Sequence, residues 1–294
     1  MQDYIVSCCS TVDLTQKKVD ALGLPVLNYT YTLDGKPMKD DFGQTLSMKD
    51  FYQAMRDGAD TATSANSVGA YEEFFRAQLA GGKDLLHVAM SSGISGSYQA
   101  ACIAAETIRE EFPNQKLLVA DSLAIASGYG LFMEEILDKK KEGLSIEELF
   151  NWIEGIKKKV QHLFFSTDLT FYVKGGRVSK VSGVIGGIFE ICPLLHVDGE
   201  GKLVPLERVR TKRKVRERIV TRMGELAENR HDYTGRVLIS HSDCIEDAEV
   251  VRDLIFAQFP GVKNIDIYDI GTTIGCHSGP GTVALFFLGD ERKD

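Results

Sequence analysis

Three short stretches of this chain carry the residue types that bind or attack small molecules. They are Thr63-Ser64, Ser91-Ser92-Gly93-Ile94-Ser95-Gly96-Ser97 and Gly275-Cys276-His277-Ser278-Gly279-Pro280-Gly281. Hydroxyls, free backbone N–H groups and one imidazole are neutral donors that can converge on an anion. Glycines let the backbone approach a ligand closely. A single serine would suffice to cap a helix, so four serines around 91–97 favour a ligand site. A second chemistry uses the same residues. Ser95, Asp121 and His277 follow one another in the order of an α/β-hydrolase triad, and Gly93-Ile94-Ser95-Gly96-Ser97 approaches G-x-S-x-G. Ser97 stands where the nucleophile elbow needs its last glycine. A serine hydrolase is therefore one alternative, and a binding module for another kind of anionic small molecule is a second. His87, His162, His196 and His241 lie in or beside predicted strands and read as core histidines, and His231 falls in a polar loop.

The elements that must position these stretches follow from periodicity. Leu85 to Met90 is a short apolar run of the kind a buried strand shows. Ala100, Ile103, Ala104, Ile108 and Phe112 then recur at helical spacing. The unit is strand, hydroxyl-rich loop, helix, and ligands of open α/β sheets bind beyond such strand ends. Further strands are expected at Tyr4 to Ser7, Leu24 to Leu33 and Leu117 to Ala120, with Asp34-Gly35 as a hairpin turn. Cys9 to Asp13 is expected to cap a helix running to Leu22, and Ser47 opens another. Ser145 with Glu148 makes a capping box. From about residue 161 hairpins replace the alternation, with Asp198-Gly199-Glu200-Gly201 between two strands and Thr211 capping a helix. Two domains are expected. Residues 1–160 form a mainly parallel α/β domain, and 161–294 an α+β domain with a mixed or antiparallel sheet.

The chain has 294 residues, a net charge of -8 and six cysteines without a C-x-x-C pair. The acidic balance argues against nucleic-acid binding, and the cysteines read as reduced thiols of a cytoplasmic protein. The apolar stretch from Val181 to Val197 is broken by Gly183, Gly186, Gly187, Glu190 and Pro193, so it is no membrane span. Arg208 to Arg218 gathers Arg208, Arg210, Lys212, Arg213, Lys214, Arg216 and Arg218 in an otherwise acidic chain. This run is either a solvated helix face or a surface for an acidic partner.

Seven motifs in order, from Ile5 to Phe287, resemble the DegV family, which includes the fatty-acid-binding subunits of bacterial fatty acid kinases. They are Ser10-Thr11-Val12-Asp13-Leu14, Thr63-Ser64, Ser91-Ser92-Gly93-Ile94-Ser95-Gly96-Ser97-Tyr98-Gln99, Asp121-Ser122, Asp168-Leu169 with Lys174-Gly175-Gly176-Arg177, Arg210-Thr211-Lys212, and His277 with Gly279 and Gly281. The resemblance implies a two-domain DegV-like (EDD) fold with a long-chain fatty acid buried between the domains. It places the carboxylate on Thr63, on Ser95 in preference to Ser92, and on His277, and the motifs add Ser64, Gly96 and Gly279 as candidate binding residues. It implies no cofactor other than the bound fatty acid, and no membrane span, with transient membrane contact only. The partner it implies is a separate kinase subunit, and the density of the basic run, with Arg177, points to Arg177, Arg210 and Arg213 as the surface that meets it. Cys9 stands where the family usually has Asp, and Cys192 where it usually has Lys, so each removes a charge.

Overall fold

The computed structural model describes residues 3–177 and 191–293. Strand β1 (Tyr4–Cys9) is followed by a 3-10 turn at Ser10–Val12 and helix α1 (Gln16–Leu22). The helix is capped by Thr15, whose side chain accepts from Lys18 N. The 9–13 stretch, expected to cap this helix, instead makes its own tight turn, closed by Asp13 at φ 45°. After β2 (Val26–Leu27), β3 (Thr30–Leu33) and β4 (Lys36–Lys39) form the hairpin anticipated at Asp34-Gly35. Both turn residues have positive φ, 49° and 76°, as a type I′ turn requires.

Helix α2 (Met48–Arg56), capped by Ser47, leads to β5 (Thr61–Ser64), which pairs antiparallel with β3. Thr63-Ser64 is thus the end of a strand in a small β4-β3-β5 sheet and not a loop. Helix α3 (Val68–Leu79), β6 (Asp84–Ala89), α4 (Ser97–Glu111) and β7 (Leu117–Asp121) complete the alternation. The first main sheet, in order β2-β1-β6-β7, is wholly parallel. Every residue of β6 is buried, as expected of a central strand covered on both faces.

Helix α5 (Ala126–Lys141) was not evident in the sequence, because it lacks an apolar stripe. Its first nine residues, Ala126 to Glu134, are all buried, so its pattern is that of a helix covered all round. It touches both main sheets. Tyr129 Oη donates to Val88 O of β6, and a methyl at Gly128 would overlap His162 and Phe286 of the second sheet. A Cβ at Gly130 would lie 2.6 Å from Val12 O. Helix α6 (Ile146–Ile156) opens on the complete Ser145–Glu148 capping box.

The second sheet is built from β8 (Val160–Ser166), then, after α7 (Thr170–Lys174), β9 (Ile191–Val197) and β10 (Leu203–Arg210). Helix α8 (Lys212–Leu226), β11 (Val237–His241), α9 (Ile245–Gln258), β12 (Ile265–Asp269), α10 (Thr272–Ser278) and β13 (Thr282–Leu288) follow. Its order is β10-β9-β8-β13-β11-β12, antiparallel except for the parallel β11–β12 pair. Helices α8 and α9 cover its outer face through Val215, Ile219, Val251 and Ile255. A parallel and a mixed sheet with helices between and outside them make a two-domain α/β fold. The glycine-rich 275–281 stretch is not a loop: its first half is the last turns of α10, and only Gly279 to Gly281 turn the chain into β13. The apolar segment 181–190 lies outside the described residues. No helix among the described residues is long and apolar enough to cross a membrane. All six cysteines are free, and all but Cys102 are buried.

Candidate functional site

The ends of β5, the loop after β6 and helix α10 meet. Thr63 reaches the meeting point because β3 holds β5 in register, Tyr31 opposite Thr63. His277 reaches it from the last turn of α10, whose start is fixed by Thr272 Oγ1 donating to Asp40 Oδ1 at 3.0 Å. Tyr52 Oη donates to Ile270 O at 2.8 Å just before that helix. Ser95 arrives on the Ser91–Gly96 loop. This loop is pinned from below, where Ser91 Oγ donates to Gly201 O at 2.8 Å on the β9–β10 hairpin. A side chain at Gly93 would strike that hairpin, its Cβ 2.5 Å from Glu200 O.

At the centre, Thr63 Oγ1 and His277 Nε2 are 2.7 Å apart, a hydrogen bond whose donor depends on the imidazole tautomer. Ser95 and Ser64 line the same small cavity, with Tyr29, Thr273 and Arg177. Ser95 Oγ accepts from Ser97 N at 3.2 Å, so its hydroxyl proton is free to point elsewhere. Three buried polar atoms here have no well-formed hydrogen bond among the described residues: His277 Nδ1, Tyr29 Oη and Thr273 Oγ1, the last of them beside the Asp40 carboxyl. Tyr29 Oη lies near Ser95, Ser97 and Tyr71 without a well-formed hydrogen bond to any of them. Buried polar atoms are normally paired, so a cluster of orphans marks a place where a ligand can bind. Burial, and then the Arg177 guanidinium, push the His277 imidazole down to about 4, so it is neutral at pH 7. Gly175 gives the ring its room, since a methyl there would overlap His277 Nδ1.

Behind this polar cavity runs a second, apolar one, and the two share Ile94, Ile274, His277 and Arg177. Its walls include Phe164, Val197, Leu203, Ile270 and Phe286, from the second sheet and the strand leading to α10. Ile125 and Ala126 close it from α5. Among the described residues no carboxylate lines either space. Hydroxyls, one neutral imidazole and one guanidinium at the mouth of an apolar slot can hold an anion with a long apolar tail.

The predicted residues are not all brought together. Thr63, Ser64, Ser95 and His277 line the cavity. Ser92 is exposed, its N–H donating to Asp121 Oδ1 at 3.2 Å. Gly96 is the exposed N-cap of α4, and Gly279, at φ 66°, packs against Phe171 beyond the helix end. Neither they nor Ser92 form part of the wall. Arg177 lines both cavities, away from the α8 face with which it was grouped. Tyr29 and Thr273 were missed. Tyr29 sits in a strand-like run with no distinguishing pattern, while Thr272-Thr273 just before Gly275 was a legible hydroxyl pair. The hydrolase triad is not assembled. Asp121 Oδ1 accepts from the backbone N–H groups of Ser92 and Leu123, and His277 Nδ1 has no carboxylate to orient it. No His, Cys, Asp and Glu grouping among the described residues could hold a metal ion.

The basic run is largely neutralised within the chain. Lys212 and Arg216 hold Asp247, Arg213 holds Glu217 at 2.9 Å, and Arg218 bridges Glu207 and Glu225. Arg210, Arg213 and Lys214 remain exposed at the junction of β10 and α8.

The chain is similar from end to end to known proteins. A DegV domain-containing protein of Clostridium perfringens is 32% identical over 293 residues, covering 100% of both chains. Another from Lactococcus lactis is 32% identical over 97% of both. Among solved structures, a fatty acid binding DegV family protein from Streptococcus agalactiae superposes with a TM-score of 0.85. It is 25% identical and covers 99% of this chain and 100% of its own. The fatty acid kinase B3 protein of Streptococcus pneumoniae, loaded with linoleic acid, shares the fold at a TM-score of 0.83 and 21% identity. There the coverage is 99% of this chain and 100% of the other. The family described as "Uncharacterised protein, DegV family" matches residues 8–290. Matched over nearly its whole length, the chain belongs to the DegV family.

Proposed function

We propose that this protein binds a long-chain fatty acid, with the carboxylate among Thr63, Ser95 and His277 and the acyl chain in the apolar slot. The observation that carries the reading is that the two cavities adjoin, sharing Ile94, Arg177, Ile274 and His277 as lining residues. An anion-binding end with three unpartnered polar atoms lies beside a slot lined by the second sheet, α10, the start of α5 and Ile94 of the loop after β6. Burying an acyl chain contributes roughly 0.8 kcal/mol per methylene, on the order of 10 kcal/mol gross for sixteen carbons. The donors then serve to orient the carboxylate. The Streptococcus agalactiae relative, described as fatty acid binding, supports the reading. In this view residues 1–160 and 161–294 are two domains that meet at the slot.

The test is lipid extraction and native mass spectrometry of the protein purified from a bacterial host. A saturated or monounsaturated fatty acid is expected at close to one per chain. A lipid-free protein that also fails to bind added palmitate or oleate would overturn the reading. The serine hydrolase would instead show an acyl adduct on Ser95.

The fatty acid serves, in this proposal, as the substrate of a separate kinase subunit, to which the protein presents the carboxylate. The chain itself has no G-x-x-x-x-G-K-[ST] loop. The motif resemblance supports this step, and so does the exposed cationic corner at Arg210, Arg213 and Lys214. Reversing Arg210 and Arg213 to Glu is expected to weaken binding to the kinase and to flatten its salt dependence while fatty-acid affinity stays unchanged. Surface charges of this kind act on association more than on folding. A double variant that lost fatty acid and kept its partner would move the docking surface elsewhere.

A further inference from the structure

We propose that the ring pair of His162 and Phe286 is the stop against which the methyl end of the acyl chain rests, and so sets the longest chain the protein holds. This rests on the fatty-acid reading above.

Strands β8 and β13 lie side by side with Thr282 opposite Ser166, Ala284 opposite Phe164 and Phe286 opposite His162. Residues 282, 284 and 286 share one face of β13, and with Phe164 and His162 they line the slot. The head-group end of this floor is Thr282, whose Oγ1 donates to Ser278 O, one residue beyond His277. Phe286 lies four residues farther along the strand, about 13 Å at roughly 3.3 Å per residue. The floor therefore leads from the imidazole that meets the carboxylate to the rings that end the slot.

Those rings are fixed. Their centroids are 5.3 Å apart at 82°, an edge-to-face pair. His162 Nδ1 donates to Val160 O at 2.9 Å, and Nε2 accepts from Ile125 N at 3.2 Å. Both nitrogens are spent on backbone, so the tautomer is set and the slot meets only carbon edges of the ring. Burial, with Arg292 nearby, holds the imidazole well below its usual range, so it stays neutral. Gly128 of α5 lies against both rings so closely that a methyl would overlap them, which fixes the ceiling at backbone height. Val197 and Leu203 of the β9–β10 hairpin are part of the same wall. The boundary at these rings is rigid. Within it, each added methylene strengthens binding by about fourfold, the equivalent of roughly 0.8 kcal/mol. A chain that outgrows it must buckle or push its head out of the donors.

Affinities for saturated fatty acids from about twelve to twenty carbons test this, because the fourfold ladder must break at one length. The ladder is measured for the wild type and for Phe286→Ala, Phe286→Leu and Ala284→Leu. The Phe286 variants are expected to move the break to chains longer by about two carbons or more, since they open space behind the last methyl. Ala284→Leu fills the floor ahead of the rings and is expected to move the break to shorter chains. Thermal unfolding identifies variants that fold. Phe286→Leu and Ala284→Leu give opposite shifts in cores of nearly unchanged polarity, so the test survives a failure of Phe286→Ala to fold. A break at the same carbon in every folded variant overturns this inference alone. A wild type that binds no member of the series overturns the fatty-acid reading, and this inference with it.

Discussion

Thr63→Val is expected to weaken fatty-acid binding by at least about tenfold, Ser95→Ala by a similar factor, and the pair by about a hundredfold or more. Each hydroxyl offers a neutral donor to a charged acceptor, and such a bond contributes roughly 1.5–3 kcal/mol. Thr63→Val keeps the shape of the side chain, so its effect isolates the hydroxyl. It also strands His277, whose Nε2 loses its 2.7 Å partner while Nδ1 already has none among the described residues. Titration of binding by calorimetry, with far-UV dichroism to confirm the fold, gives the factors directly. Unchanged affinity in both single variants would place the carboxylate elsewhere in the slot.

His277 adds a pH signature with a definite sign. In the free protein burial and Arg177 hold it neutral down to about pH 4. A carboxylate beside the ring favours the imidazolium and raises the value in the complex. Binding then takes up a fraction of a proton, so affinity rises as pH falls from about 7 toward 5. In His277→Gln that slope is expected to vanish. A slope that persists in the glutamine variant would assign the proton to another group.

The sequence marked the parallel half of the fold well because its signals are local. The β6 run, the Ser145–Glu148 box and the Asp34-Gly35 turn each depend on a few adjacent residues, and each stands where expected. Helix α5 escaped because a helix wedged between two sheets has no polar face to give it a period. The site was legible in part. Hydroxyls and glycines flag backbone that approaches a ligand, and Thr63, Ser95 and His277 carry that mark. Tyr29 and Thr273 do not, since their meaning lies in hydroxyls left unpaired by tertiary packing. The charge run at 208–218 was legible only in part. Four of its seven cations meet Asp247, Glu207, Glu217 and Glu225, all at least one helical turn away in sequence, while Arg210 and Lys214 stay exposed.

Acid is expected to erode the fold through His87, which the sequence marked only as a core histidine. The ring lies wholly buried in β6, opposite Ser7 of β1. Its Nδ1 is 2.9 Å from Ser7 Oγ, and Nε2 is 3.7 Å from Cys9 Sγ. Tyr71, Phe74 and Phe75 surround it edge-on, with centroids 5.3 to 5.9 Å away. Burial alone pushes it down to about 3, against 6.5 for an ordinary histidine. Between those values the unfolded chain binds a proton that the native state refuses. Stability is therefore fully present above about pH 6.5 and falls by roughly 1.4 kcal/mol per pH unit below it, on the order of 5 kcal/mol in all. Asp13 and Asp40 act with the opposite sign. Burial raises both carboxyls, so the native state gains protons first as pH falls and their contribution grows. The absolute acid curve mixes these groups, and a paired measurement separates them. His87→Phe keeps the ring packing but leaves the Ser7 hydroxyl unpaired, at a cost of about 1–3 kcal/mol at pH 7.5. The variant no longer carries the proton linkage. Urea unfolding of both proteins should show the wild type losing its lead as pH falls, with the two curves meeting near pH 5. If the gap between them stays constant from pH 7.5 to 5, the native imidazole titrates as an exposed one does, and the buried neutral ring is ruled out.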